Sequence, residues 1–154
     1  MDQDSWEIPE RRRLPGNRES ITHEVNIAGV RVVLTVGLYA EGLPGEILIN
    51  ASNANQDELA KGVLNAWARS YSQLLQYGVP LADTLQTHKH SRFQPMGFTS
   101  DPSIHFASSI VDYVARWLEL RFIGSPDDDV AELEPPPEPD MLPDGGSTAV
   151  APAP

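Results

Sequence analysis

The chain has 154 residues, enough for one modest domain with its own core. It carries 22 Asp and Glu residues against 11 Lys and Arg residues, and the resulting net charge of -11 opposes non-specific attraction to nucleic acid and anionic lipid. The absence of cysteine excludes disulfides, thiolate zinc sites and thiol nucleophiles. We therefore expect neither DNA binding nor redox-active thiols.

The N-terminal residues 1–19 are predicted to form a mobile arm, because they are polar and contain a Pro-Gly turn. They include no apolar segment typical of a secretory signal peptide, and the chain has no apolar run of about 18 residues. We therefore predict a cytoplasmic protein without a membrane segment. The cluster Arg11, Arg12 and Arg13 favours a solvated charge run, with contact to an acidic partner or a phosphate as the alternative.

Alternating apolar residues predict a small sheet after the arm. Apolar and polar residues alternate over 20–27 and again over 30–36, and the two residues between these runs supply a tight turn. The pattern predicts a β-hairpin followed by a short third strand over 46–50. His23 lies on the apolar face of the first strand, where a satisfied core or edge histidine is favoured over a ligand.

A long amphipathic helix is predicted over residues 57–77. Its apolar residues recur at four-residue spacing, at Leu59, Val63, Trp67 and Tyr71. Further apolar residues make this one broad face: Ala60, Leu64, Leu74 and Leu75. The polar segment before it supplies three candidate N-caps: Ser52, Asn53 and Asn55. Gly78 ends the helix.

Two more helices complete the predicted domain over 20–124. A short one covers 81–87, and a third runs to Phe122, with apolar spacing from Phe106 and with Asp101 or Ser103 as its N-cap. The predicted fold class is α+β, with a three-stranded antiparallel sheet packed by two long helices and one short helix.

The remaining residues, 125–154, are predicted to form a disordered tail, because they are rich in Pro and acidic residues and have no aromatic residue. The tail holds eight acidic residues and no basic residue. Without those eight charges the rest of the chain has a net charge of only -3. The acidity therefore belongs mainly to the tail.

The segment 88–103, between the second and third helices, is the candidate binding surface. It is punctuated by Pro and Gly, and a structureless loop of this length inside a compact domain is usually either functional or a sign that the elements are wrongly assigned. Arg92 beside Phe93 suggests a guanidinium held by an aromatic ring and suited to a carboxylate or a phosphate. The alternative is that Arg92 and Phe93 only pin the loop to the core.

The candidate binding residues are Lys89, His90, Arg92, Phe93, Phe98 and Ser103. Arg92 is expected to contact an anion, Phe93 and Phe98 to anchor a partner, and His90 to be a pH-sensitive neighbour. In a second hypothesis, a nucleotide phosphate binds Arg92 and Lys89 at the start of the third helix near Ser103. No catalytic residue is predicted, since no phosphate-loop, dinucleotide or nucleophile-elbow motif occurs. His88 and His90 could share a metal ion if the segment were extended, but no nearby carboxylate or thiolate completes a ligand set, so no metal site is predicted.

Several phrases, taken together and in order, resemble the C-terminal TSCPD-type domain of adenosylcobalamin-dependent, class II ribonucleotide reductases. They are Arg11-Arg12-Arg13-Leu14-Pro15, Ser20-Ile21-Thr22-His23, Val36-Gly37-Leu38-Tyr39, Gln76-Tyr77-Gly78-Val79-Pro80-Leu81, Pro95-Met96-Gly97-Phe98-Thr99 and Ser109-Ile110-Val111-Asp112-Tyr113. The family is named after Thr-Ser-Cys-Pro-Asp, and the equivalent here is Thr99-Ser100-Asp101-Pro102-Ser103. Asp101 replaces the cysteine, which excludes a thiol role there and leaves helix capping by Asp101.

The resemblance implies a connection with deoxyribonucleotide synthesis, but the family keeps its radical cysteines and cobalamin site in a large catalytic barrel. We therefore expect a free-standing, non-catalytic accessory or regulatory domain that binds a ribonucleotide reductase catalytic chain or another partner in nucleotide metabolism. Adenosylcobalamin is expected only in the partner reductase, and no cofactor is expected on this chain. The alternatives are a small nucleotide-binding or phosphate-binding module and a structural domain that self-associates as a homodimer.

Overall fold

The structure, a computed structural model, describes residues 7–52 and 58–124. In chain order the elements are β1 (Ser20–Ile27), β2 (Val30–Leu38), β3 (Pro44–Ser52), α1 (Glu58–Gln76), α2 (Leu81–His88), β4 (Gly97–Phe98), β5 (Phe106–Ala107) and α3 (Ile110–Phe122). The predicted tail and the candidate caps Asn53 and Asn55 lie outside the described residues. None of the helices described is long and apolar enough to cross a membrane.

The predicted α+β fold is confirmed. The first three strands form an antiparallel sheet in the order β1-β2-β3, and Ala28 and Gly29 both have positive φ in the turn between β1 and β2, as a tight hairpin requires. The third strand is longer than predicted, with nine residues. Its pairing with β2 extends past an irregularity at Gly37 and Leu38 as far as Pro44. Because Pro44 and Gly45 interrupt the alternation of apolar and polar residues, the sequence pattern does not indicate this part of the strand.

Helix α1 packs along β3 with only part of the broad apolar face that the sequence predicts. Its buried apolar residues are Leu64, Ala68, Tyr71 and Leu75, whereas Leu59 and Val63 are 75% and 61% exposed. Four residues turn an α-helix by about 400°, so a four-residue spacing drifts by about 40° per step. The apolar stripe that begins at Leu59 therefore rotates away from the sheet towards the N-terminus of the helix.

Helix α3 begins later than predicted. Ser109 is its N-cap, because the Ser109 Oγ accepts a hydrogen bond from the Asp112 N–H at 2.9 Å. The predicted caps Asp101 and Ser103 are therefore wrong. Phe106 and Ala107, which match the helical spacing, instead form β5, and β5 pairs with β4 in a second, two-stranded sheet.

The N-terminal segment contacts the domain from Arg11 onwards. The Arg11 Nε donates to the Gln76 Oε1 at 2.7 Å, and the Arg12 N–H donates to the Gln76 carbonyl at 2.9 Å. The Arg12 guanidinium pairs with Glu41 and lies 4.2 Å from the centre of the Tyr39 ring. The mobility expected of residues 1–19 stays a prediction.

Ser72 of α1 hydrogen-bonds to the edge of β3 that faces away from β2. Its Oγ accepts from the Ile47 N–H at 2.8 Å and lies 2.7 Å from the Ala68 carbonyl, and Gln76 Nε2 donates to the Gly45 carbonyl at 2.9 Å. Exposed edge strands are templates for unwanted strand pairing. These helix side chains therefore satisfy an edge that would otherwise be open.

We predict that Ser72→Ala destabilises the domain by about 1–3 kcal/mol, because it leaves the buried Ile47 N–H without a partner. Urea unfolding followed by circular dichroism measures the change. Ser70→Ala is the matched control, since Ser70 is exposed on the same helix. Equal stability of the two variants would contradict the edge-sealing role.

Candidate functional site

Asp112, in the first turn of α3, organises the segment between α2 and α3. Its side chain is completely buried, and its two oxygens accept hydrogen bonds from the backbone N–H groups of His90 at 2.6 Å and Ser108 at 3.0 Å. Arg116 Nη1 lies 3.4 Å from the same carboxylate. One buried side chain thus ties to α3 the backbone at His90, near the start of the candidate surface, and at Ser108, beyond its end.

The two basic residues at the start of this segment have different surroundings. Lys89 Nζ donates to both carboxylate oxygens of Glu119, at 2.8 and 3.0 Å, in a largely buried ion pair. His90 has a left-handed backbone conformation, with φ of 66°, which points its N–H at Asp112 while its side chain stays 78% exposed. Lys89 is therefore already neutralised by α3, and His90 faces solvent.

Arg92 and Phe93 lie on the surface of the loop. Phe93 is 46% exposed, and its N–H donates to the Ser108 carbonyl at 3.2 Å. The Arg92 side chain is exposed, and in the part of the chain that the structure describes it has no ion pair, side-chain hydrogen bond or ring contact. The aromatic grip expected for Arg92 is not found among these residues.

An exposed aromatic pair lies on the two-stranded sheet. Phe98 is 78% exposed and Phe106 is 43% exposed, and their rings meet edge to face with centroids 5.7 Å apart. The Nη1 and Nη2 atoms of Arg116 both donate to the Phe106 carbonyl at 2.9 Å. Since Arg116 also contacts Asp112, this sheet is braced against α3.

Ser103 does not lie at a helix N-terminus. It is exposed in a turn, where its N–H donates to the Asp101 Oδ1 at 2.8 Å. The N-terminus of α3 is instead occupied by the Ser109 hydroxyl and the Asp112 carboxylate. Asp101 therefore caps a turn and no helix, and the start of α3 already holds a negative charge.

A partly buried polar cluster joins β1 to α3, and the sequence analysis did not find it. The Tyr113 hydroxyl donates to the Asp101 Oδ2 at 2.6 Å and lies 2.7 Å from the His23 Nε2. Because a phenol has one proton, His23 must donate its Nε2–H to the Tyr113 oxygen. The His23 ring also stacks on Trp117, with centroids 5.0 Å apart. We call these four residues the His23–Tyr113 cluster.

The pKa values in this cluster follow its burial. Burial lowers the pKa of His23, with the Asp101 charge acting in the opposite direction, and burial together with the Asp101 hydrogen bond raises the pKa of Tyr113. Burial would raise the pKa of Asp101, but hydrogen bonds from Tyr113 and the Ser103 N–H lower it overall. At neutral pH the cluster therefore consists of a neutral imidazole, a phenol and a carboxylate.

The described residues contain no group of three or more His, Asp or Glu side chains arranged to hold a metal ion. His88 packs edge-on against Trp67 and Tyr71, whereas His90 points to solvent, so the two histidines do not converge. The described residues thus form a small α+β domain with an exposed loop, and hydrogen bonds to Asp112 of α3 hold this loop in place.

The chain belongs to the TSCPD domain family, whose model matches residues 7–122. It is 43% identical over 119 residues to the vitamin B12-dependent ribonucleotide reductase of Rhodopirellula baltica, a match that covers 77% of this chain and 11% of that protein. The proteins of the same name from Streptantibioticus cattleyicolor and Agrobacterium fabrum are 36% and 33% identical over 75% and 77% of this chain, and the matches cover 19% and 9% of those proteins. No solved structure matches the chain significantly.

The chain thus spans at most about a fifth of the length of these relatives. Its similarity establishes a domain related to the TSCPD region of B12-dependent reductases, as the sequence phrases predict. Two of those phrases contain His23 and the pair Asp112 and Tyr113. The phrases that carry the resemblance therefore include His23 and Tyr113, which are hydrogen-bonded in the structure. The resemblance did not indicate this contact.

We predict that Asp112→Asn lowers the free energy of unfolding by about 3 kcal/mol, because the amide nitrogen of Asn would face a backbone N–H that now meets an oxygen. Urea unfolding measures the loss, and faster hydrogen exchange at the His90 and Ser108 amides would locate it. Asp83→Asn, at an exposed acid of α2, is the control. Wild-type exchange at both amides would contradict this role for Asp112.

We predict that the domain loses stability as the pH falls below 6.5, because the pKa of His23 is lower in the folded state than its ordinary value of 6.5. The contribution is fully present above pH 6.5 and is lost as the pH falls through the folded pKa. Burial lowers the pKa of His88 as well, so the two histidines act in the same direction.

Urea unfolding at a series of pH values tests this prediction. His23→Gln should show a smaller loss of stability with falling pH than the wild type, whereas His105→Gln, at an exposed position, should keep the wild-type dependence. An unchanged dependence in His23→Gln would show that the imidazole is not responsible.

Proposed function

We propose that this domain is a non-catalytic accessory or regulatory domain that binds a ribonucleotide reductase chain, or another protein of nucleotide metabolism, through the surface of residues 88–103 and the neighbouring strand β5 (Phe106–Ala107). The observation that carries the proposal is the exposed pair Phe98 and Phe106 on a braced two-stranded sheet. The guanidinium of Arg92 in the same loop is exposed and makes no ion pair with the residues that the structure describes, so it adds a contact for a carboxylate of the partner.

The composition of this surface is typical of a protein interface. Aromatic residues and arginine are enriched among the residues that dominate binding energy, and exposed apolar groups lose contact with water when a partner covers them. The surface is also held in place before binding, because Asp112 fixes the loop backbone and Arg116 supports Phe106. A preorganised surface loses less conformational entropy on binding than a mobile one.

The surroundings of the other candidate residues favour a protein partner over a nucleotide. A phosphate near Lys89 would compete with the buried Glu119 carboxylate, and a phosphate at the start of α3 would meet the Asp112 carboxylate. Cobalamin is assigned in this proposal to the partner reductase.

We predict that Arg92→Ala and Phe98→Ala each weaken binding to a purified B12-dependent reductase from the source organism by about 10-fold, which is the loss of one moderate contact. Isothermal titration calorimetry measures the affinity. Both side chains are exposed, so the melting temperature should change little.

Arg69→Ala and Leu43→Ala are the matched controls, since both side chains are exposed outside the loop. They should bind as the wild type does. Equal affinity of all four variants, or a large fall in melting temperature with Arg92→Ala, would contradict the proposed surface. A thermal shift with a nucleotide but none with the reductase would favour the nucleotide-binding module instead.

A further inference from the structure

A polar cavity of about 390 Å³ lies between the N-terminal segment, β3 and helix α1. Polar side chains make up most of its lining: Arg11, Glu46, Asn65, Arg69, Ser72 and Gln76. The volume falls within the range of about 300–1,000 Å³ that is typical of small-molecule sites. None of the lining residues belongs to 88–107, so the cavity is separate from the proposed reductase-binding surface.

The four polar residues that α1 contributes to this cavity form one stripe along the helix. They follow one another at spacings of four, three and four residues, which places them on the same face: Asn65, Arg69, Ser72 and Gln76. Ser72 and Gln76 are buried and hydrogen-bonded to β3, whereas Asn65 and Arg69 are exposed. The two buried residues therefore hold the stripe against the sheet, and the two exposed residues line the cavity with polar groups that solvent can reach.

Arg11 is held at the cavity by hydrogen bonds through the buried Gln76 amide. The Gly45 carbonyl accepts from the Gln76 Nε2 at 2.9 Å, and this contact orients the amide so that its Oε1 accepts from the Arg11 Nε at 2.7 Å. In residues 7–52 and 58–124, the Nη1 and Nη2 atoms of Arg11 have no hydrogen bond and no ion pair. A neutral amide thus positions a guanidinium whose terminal nitrogens are available to a ligand.

The charges at the cavity favour an anion. Arg69, like Arg11, makes no ion pair with the residues that the structure describes. Glu46 is the one acidic side chain in the lining, and its Oε2 already accepts hydrogen bonds from Arg18, with the Arg18 Nε at 3.0 Å. The cavity therefore holds two guanidinium groups without a carboxylate partner, in a chain whose net charge is -11. A chain so rich in carboxylates has left these two positive charges uncompensated, which points to an anionic ligand.

We propose that this cavity binds the phosphate group of a small phosphorylated molecule through Arg11 and Arg69. The planar fork of donors in arginine matches the oxygens of a phosphate, and a phosphate monoester carries nearly two negative charges at neutral pH. Two guanidinium groups thus match one phosphate, whereas a single carboxylate would neutralise only one of them. Asn65, one helical turn from Arg69, offers its amide to a polar group elsewhere in the molecule. This site does not depend on the proposed reductase-binding function.

Inorganic phosphate, acetate and glycerol 3-phosphate test the proposal in nuclear magnetic resonance titrations of the full chain. Sodium chloride keeps the ionic strength constant, so that general screening does not change during the titration. Phosphate should shift the Arg11 Nε–H and Arg69 amide signals with a dissociation constant of about 1 mM. Acetate should bind about 10-fold more weakly, because it neutralises only one guanidinium. Glycerol 3-phosphate should bind at least as tightly as phosphate, because the cavity has room for the glycerol group.

Three variants separate this site from a general effect of positive charge. Arg11→Gln and Arg69→Gln should each weaken phosphate binding about 10-fold, since each removes charge-assisted hydrogen bonds. Arg13→Gln is the matched control, because Arg13 is exposed in the same arginine cluster but does not line the cavity. It should bind phosphate as the wild type does. Circular dichroism confirms that each variant is folded, and the exposed position of Arg69 keeps the test valid if Arg11→Gln is unstable.

The proposal is overturned if phosphate causes no saturable shift in the wild-type chain, if acetate binds as tightly as phosphate, or if Arg69→Gln keeps wild-type affinity. Equal losses in Arg13→Gln and Arg69→Gln would also overturn it, because net charge alone would then explain the binding. Weaker binding of glycerol 3-phosphate than of phosphate would contradict a small phosphorylated molecule as the ligand. Phosphate binding is tested at Arg69 and reductase binding at Arg92, so the two proposals fail independently.

Discussion

Burying a carboxylate is unfavourable unless its oxygens are hydrogen-bonded, and Asp112 meets this condition with backbone N–H groups from both ends of the loop. The loop backbone also adapts to the hydrogen bonds that the Asp112 carboxylate needs. Because Asp112 needs these donors, His90 takes a left-handed conformation and Ser108 runs close to α3. A loop rich in Pro, Gly and polar residues thereby acquires a defined path. Asp112 thereby fixes the backbone at His90 and at Ser108, and the candidate residues from Arg92 to Phe98 lie between these two positions.

The support extends from Asp112 to the surface through Arg116. This guanidinium contacts the Asp112 carboxylate and donates twice to the Phe106 carbonyl, so the two-stranded sheet that carries Phe98 is coupled to the helix. On the other side of α3, the His23–Tyr113 cluster joins the helix to β1 and to the turn at Asp101. Polar contacts, in addition to the apolar core, therefore fix the exposed aromatic pair relative to the main sheet.

The sequence predicted what local periodicity controls. The alternation over β1 and β2 and the breadth of apolar spacing in α1 indicated the sheet and the long helix correctly. The start of α3 was missed, because Phe106 and Ala107 fit helical spacing while pairing as a strand. The contacts of Lys89 with Glu119 and of His23 with Tyr113 link residues far apart in sequence, and periodicity carries no information about such pairs. These two contacts changed the interpretation of the candidate site more than the wrong start of α3 did.

The position that gives the TSCPD family its cysteine illustrates how the same backbone site can serve a different purpose. In this chain the residue aligned there by resemblance is Asp101, whose Oδ1 accepts from the Ser103 N–H and whose Oδ2 accepts from Tyr113. A carboxylate accepts two directed hydrogen bonds at once, whereas a thiol is only a weak acceptor. Asp101 therefore orders the turn and fixes the tautomer of His23 through Tyr113. This position in the chain serves the architecture of the domain.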